Sequence, residues 1–350
     1  MLISTHLYNF CTAAYALALL LYSLNLGFQK GRLRQIATTF VAFGFLTQTL
    51  GMAFRWIEAG HVEVAAYTQS TGERLSGIAY WQVLTQHPPW SNLYEIMVYM
   101  GWGLVLVFLV CEVKWHARFL GIFALLLTLT ALGIASLNHT QIKPLVPALK
   151  SWWIMIHVIS ASIAYAAGTV GAICSFLYLI KAKERVSLKK LFAWSLGISV
   201  LVGLLSFKSG SLNVWNGSLI GIMLFACLFV GLVLLFPRQL RSLIPQEEQL
   251  DHMAYSNILV AFALVAVVLV TGALWAHYAW GRYWGWDPKE TGALVIWITY
   301  ALYLHTRITY GWVGPKSAII AVLAFFVIIA GFLGVNLGWF AEGLHSYGRS

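Results

Sequence analysis

The sequence predicts an all-α polytopic membrane protein of about ten transmembrane helices with a Trp-rich loop on the outer side. Three observations carry this expectation. Of 350 residues, 60% are hydrophobic and only 10% are charged. Mean hydropathy is +0.78, far outside the range of water-soluble domains. Apolar runs recur along the chain, each long enough or nearly so to cross a hydrocarbon core of ~30 Å. A bilayer interior offers no water to a lone peptide group, so each run must be helical. The polar segments between them are short, so residues 1–350 read as a single integral membrane domain.

Taken in order, the first two runs are Tyr8–Phe28 and Ile36–Phe54. The N-terminus lacks a basic leader and its first run is long enough to span, so no cleavable signal peptide is expected. Residues 54–92 are polar without an apolar run and read as an outer loop capping the surface. Leu93–Val113 and Phe119–Leu137 follow. A second outer loop, 138–151, holds Pro144 and Pro147 and leads into Trp152, Trp153 and His157. The fifth run is Trp152–Ile180. Residues 187–250 hold two further runs, Leu191–Phe207 and Ser218–Phe236, and an inner loop. Asn257–Ala276 precedes the Trp-rich outer loop, 276–291. Thr291–Leu304 and Ser317–Leu337 are the last runs, and 338–350 is an outer C-terminal tail. The sixth and ninth runs are the shortest.

The formal charge of +10 does not point to nucleic acid, because the cations lie between apolar runs, as topology determinants do. Alternate loops share the 22 Lys and Arg as 14 against 8. Cytoplasmic loops carry the excess, so both termini and the Trp-rich loop are expected outside, on the periplasmic or lumenal face. Cys11, Cys111, Cys174 and Cys227 lie in or beside apolar runs with no CxxC and no metal spacing. They read as small buried residues.

The chemistry is concentrated between Leu274 and Glu290. Trp275, Trp280, Trp284 and Trp286 crowd one loop with Tyr and His rings. Gly281 and Gly285 let the backbone turn tightly and Pro288 restarts it. Arg282, Asp287, Lys289 and Glu290 add charges of both signs. Such a loop offers an aromatic shelf with a polar edge, which suits a large planar ligand bearing carboxylates, such as haem. The alternative is an interfacial aromatic belt. Imidazole commonly holds haem iron, so histidines near the shelf are candidates. His157 is near the outer end of its run and His345 is in the outer tail, on the same side as the loop. His305 sits deep in the ninth run, where ionisable groups are costly and usually functional. His277 is close to the shelf. Asp287 and Glu290 are candidates for acid–base work or for holding the loop and orienting its neighbours. Arg282 and Lys289 are candidates for carboxylate contacts.

The sequence Trp-Gly-x-x-Trp-x-Trp-Asp-x-x-Glu resembles the WWD signature of membrane haem-handling proteins. Further stretches match one family around it. They include Arg55–His61, Ser91–Glu95, Pro144–Val158, Tyr303–Arg307, Phe332–Leu337 and Gly343–Gly348. Together these are similar to the CcsA (ResC) family of system II cytochrome c biogenesis. Two departures stand out: the extra pair of runs, and an apparent insertion at Val64–Pro88. His277 and Gly292 also depart from the family pattern.

The resemblance implies that His157 and His345 are axial ligands of an outer haem site, with Trp280, Trp284, Trp286, Arg282, Asp287 and Glu290 around it. It implies that His305 is one ligand of an inner, membrane-embedded haem site whose second ligand comes from a companion subunit. The implied activity is a cytochrome c haem lyase. Haem b is carried across the membrane and presented to the CxxCH segment of an apocytochrome c, with a CcsB (ResB) type partner and thiol-reducing proteins. The membrane would be a bacterial inner membrane or a thylakoid. Two other readings stay open on the sequence: a b-type haem quinone oxidoreductase, and a non-haem transporter of amphiphiles.

Overall fold

A computed structural model describes residues 2–28, 30–137, 141–182 and 244–336. The described residues hold nine α-helices and no strand: α1 (Ile3–Phe28), α2 (Gly31–Thr71), α3 (Gly77–Thr85), α4 (Leu93–Trp115), α5 (Leu120–Ser136), α6 (Trp152–Lys181), α7 (Glu247–Trp280), α8 (Pro288–Thr309) and α9 (Pro315–Asn336). Eight of the ten expected runs correspond to α1, α2 and α4–α9. The other two, Leu191–Phe207 and Ser218–Phe236, lie outside the described residues. So do Cys227, the tail 338–350 and His345. Five of the helices, α1, α2, α4, α6 and α7, are long and apolar enough to cross a membrane. The molecule is an integral membrane protein.

The core is the pair α6 and α7. α6 presents a stripe of small buried residues, Ala164, Ala167, Gly168 and Gly171. Lipid tails are as apolar as Leu, so helices in a bilayer associate through close packing, which small side chains permit. α4, α8 and α9 pack around this pair, and α1, α2 and α5 form a second group bound to α4.

The segment 54–92, expected as a polar loop capping the surface, is mostly helix: α2 continues without a break to Thr71, and α3 follows. At 1.5 Å per residue, α2's 41 residues run about 60 Å, roughly twice the hydrocarbon thickness. Its charged residues Arg55, Glu58 and Glu63 each find a partner on a neighbouring element. Buried Arg55 bonds Glu95 of α4 at 3.0 Å. Glu58 accepts the Ser4 amide of α1 at 3.1 Å and the Ser4 hydroxyl. Glu63 pairs with Lys150 at 2.7 Å, accepts the Leu145 amide, and lies 3.1 Å from buried His87. Residues 54–92 and 141–151 are thereby tied together above the bundle.

Candidate functional site

The loop between α7 and α8 is built by its ends. Gly281 caps α7 in the left-handed conformation, φ 73°, and its amide donates to the His277 carbonyl. Asp287 caps α8 in a capping box with Glu290, followed by Pro288 at the first helical position, the arrangement that best satisfies free amides at a helix start. The Glu290 carboxylate also accepts the Gly285 amide at 2.8 Å and the Asp287 amide at 3.2 Å. The two carboxylates therefore hold the loop, the second of the roles expected for them. Trp286 is forced to φ 57°, a conformation costly for a bulky residue. Its ring is 71% exposed and stands edge-on to Trp284 at 5.7 Å.

Beneath this loop lies a partly open cleft with a cavity volume of about 170 Å³. His157, Gly272, Trp275, Tyr283, Trp284, Lys289 and Glu290 are among its lining residues. Met100, Tyr165, Leu269 and Ile296 line its apolar remainder, which reaches into the bundle between α4, α6, α7 and α8. The lining thus combines aromatic and aliphatic groups with one imidazole, one lysine and one carboxylate.

The histidines separate clearly. His157 faces the cleft, with Nδ1 2.9 Å from the Val268 carbonyl and its ring 6.4 Å from Trp275. Trp275 is buried and donates its indole N–H to the Ala148 carbonyl at 2.7 Å, which pins the 141–151 segment against α7. His277 does not line the cleft. It stacks on Tyr283 with centroids 4.2 Å apart and planes 9° from parallel.

His305 is not deep in its helix. It lies one turn from the C-terminal end of α8 with an exposed side chain, near Thr309 at 3.3 Å and edge-on to Tyr310 at 5.6 Å. The helix outlasts the apolar run because Arg307 bonds Asp251 and Ser317, and lies over the Tyr255 ring at 4.8 Å. By helical rise, His305 is about 22 Å along α8 from Glu290. Two sites at opposite ends of one helix are therefore geometrically distinct.

Of the expected shelf residues, Trp284 and Glu290 line the cleft. Trp280 stands behind it, edge-on to Trp275 at 4.9 Å. Trp286 and Arg282 are not among the lining residues; Arg282 folds its guanidinium over Gly285. Among the lining residues given no part in the site on sequence are Gly272 of α7 and Tyr165 of α6. The first had a signal, a lone glycine inside an apolar helical run.

The comparisons with known proteins agree with this architecture. A family model described as cytochrome C assembly protein matches residues 90–345. The cytochrome c biogenesis protein CcsA of Prochlorococcus marinus (strain NATL2A) is 36% identical over 329 residues, covering 89% of this chain and 94% of that one. The CcsA of Pyropia yezoensis is 34% identical, covering 98% and 96%. That of Synechocystis sp. (strain ATCC 27184 / PCC 6803 / Kazusa) is 34% identical, covering 95% and 93%. A solved structure, cytochrome c haem lyase CcmF, superposes with a TM-score of 0.56 at 15% identity, a likeness of fold. It covers 97% of this chain, which spans 51% of the length of that protein. By matched length and identity over nearly the whole chain, the protein belongs to the CcsA family of cytochrome c assembly proteins.

Proposed function

We propose that this chain binds haem in the cleft beneath the α7–α8 loop and presents it for covalent attachment to an apocytochrome c. One observation carries the reading. An imidazole, His157, lines a cleft whose other walls are indole, phenol and aliphatic groups with one lysine, Lys289, and one carboxylate, Glu290, the latter engaged by the Gly285 and Asp287 amides. Haem needs that set: a nitrogen for iron, flat apolar walls for the macrocycle, and a cation for propionates. Lys289 is the cation for that role in preference to Arg282, since it lines the cleft.

His345 of the tail is the second axial ligand in this reading. The chemistry at the vinyl groups is an addition: each CxxCH thiol adds S–H across one vinyl C=C, giving a thioether with no net oxidation. The protein's part is position. It holds the porphyrin with its vinyl edge open to the peptide and keeps water from the buried face. The membrane route begins at His305, whose exposed side chain near the inner end of α8 suits a ligand shared with a CcsB-type subunit. Both termini and the Trp-rich loop face the outer side in this topology.

The test replaces His157 and His305 by Ala, separately, in the complex purified from a haem-replete host. We expect each change to alter the absorption spectrum and lower the haem content, and His157→Ala to lower cytochrome c yield. Unchanged spectrum and yield for His157→Ala would remove the outer site as assigned.

A further inference from the structure

We propose that Gly272 is a positioning residue for His157, which it acts on by leaving a gap that the imidazole fills. The inference deepens the haem reading above and rests on it. α6 and α7 meet where His157 faces one turn of α7, from Val268 to Gly272. The imidazole Nδ1 lies 2.9 Å from the Val268 carbonyl oxygen. A carbonyl only accepts, so Nδ1 must carry the proton and donate. In the neutral ring the lone pair then sits on Nε2. A bond of this kind selects the tautomer and aims the free nitrogen of a metal-binding histidine. Here it makes Nε2 the iron-binding atom.

The ring reaches that carbonyl only because residue 272 has no side chain. A Cβ at 272 would stand 2.9 Å from Cε1 and 3.0 Å from Nδ1 of His157. Real Cβ atoms do not approach so closely, and this ring has little freedom to yield. It is fixed at Nδ1 by Val268 and flanked by Trp275, itself buried and bonded to Ala148. Any side chain at 272 therefore pushes the imidazole off its carbonyl and removes the bond that fixes the orientation of Nε2.

The position separates function from folding. Gly272 is inside the 34-residue α7, where Ala is the better helix former. Among the described residues, His157 is the one neighbour a Cβ would meet within 4 Å. Gly272→Ala gains helix propensity against the loss of one imidazole–carbonyl bond of similar size, so the bundle should keep nearly its stability while one ligand is disturbed.

The experiment compares wild type, His157→Ala and Gly272→Ala in the full complex. It records thermal midpoint, absorption spectrum and haem retention, each with and without added imidazole. For Gly272→Ala we expect a nearly unchanged midpoint. Haem should be held about 10- to 100-fold more weakly, with a shift in spectrum like that of His157→Ala, and free imidazole should restore the spectrum. If His157→Ala changes the haem spectrum and Gly272→Ala does not, the positioning role is wrong and the haem reading stands. If His157→Ala changes nothing, the haem reading falls and this inference with it. A lowered midpoint that imidazole does not rescue assigns Gly272 to packing and overturns the proposal.

Discussion

Arg55 shows how a single side chain escapes a reading by composition. In sequence it opens a polar stretch, which suggests solvent. In the structure it is fully buried and bonded to Glu95, which is itself capped by the Ser91 amide and hydroxyl at 2.8 and 2.9 Å. A buried charge that loses its partner costs about 3–5 kcal/mol. Glu95→Ala should therefore lower the thermal midpoint in detergent substantially, and the double change to Leu at both positions should recover part of the loss. A loss in the double variant equal to the sum of the two single-variant losses would mean that the pair is not coupled. The same limit applies to the site. His157 was legible as a candidate, because imidazole on the outer end of an apolar helix is rare enough to notice. Its carbonyl partner at Val268 was not, since sequence carries no trace of a contact spanning 111 positions.

Among the elements, the helices were the most legible, because a bilayer leaves an apolar run one way to satisfy its backbone. Their ends were less so. α2 runs past its apolar span because Glu58 and Glu63 find fixed donors, and α8 passes Leu304 because Arg307 finds Asp251. Ends of this kind are set by partners on other elements, which hydropathy does not see. The α7–α8 loop, in contrast, was legible as a unit, since its glycines, Pro288 and two carboxylates are local signals. Its shape depends on one carboxylate. Glu290 binds two loop amides and completes the α8 cap. Glu290→Ala leaves those donors without an acceptor, a loss of about 1–3 kcal/mol confined to the loop. We expect faster tryptic cleavage after Arg282, weaker haem retention, and an unaltered pattern from α1–α6. Cleavage at the wild-type rate would show that the loop holds its form without that carboxylate.

At the scale of the whole molecule, the segments 54–92 and 141–151 and the cleft form one connected structure. Glu63 in the C-terminal part of α2 holds Lys150 and Leu145. Three residues after Leu145, the Ala148 carbonyl takes the indole of Trp275, and Trp275 flanks His157. The 141–151 segment is thus fixed at one end by an acidic residue and at the other by the wall of the cleft. A change at Glu63 should reach His157 without touching it. Glu63→Gln keeps the shape but removes the charge that Lys150 pairs with, weakening a partly buried bond by about 1 kcal/mol or more. Hydrogen–deuterium exchange should then quicken across 141–151 and at the start of α6, while the α1–α2 contact at Ser4 and Glu58 keeps its protection. Haem retention should fall by less than in Gly272→Ala, because the imidazole keeps its carbonyl and loses only the rigidity of one flank. Equal exchange in 141–151 for wild type and variant would uncouple these segments from the site. The cleft would then be the work of α6, α7 and α8 alone.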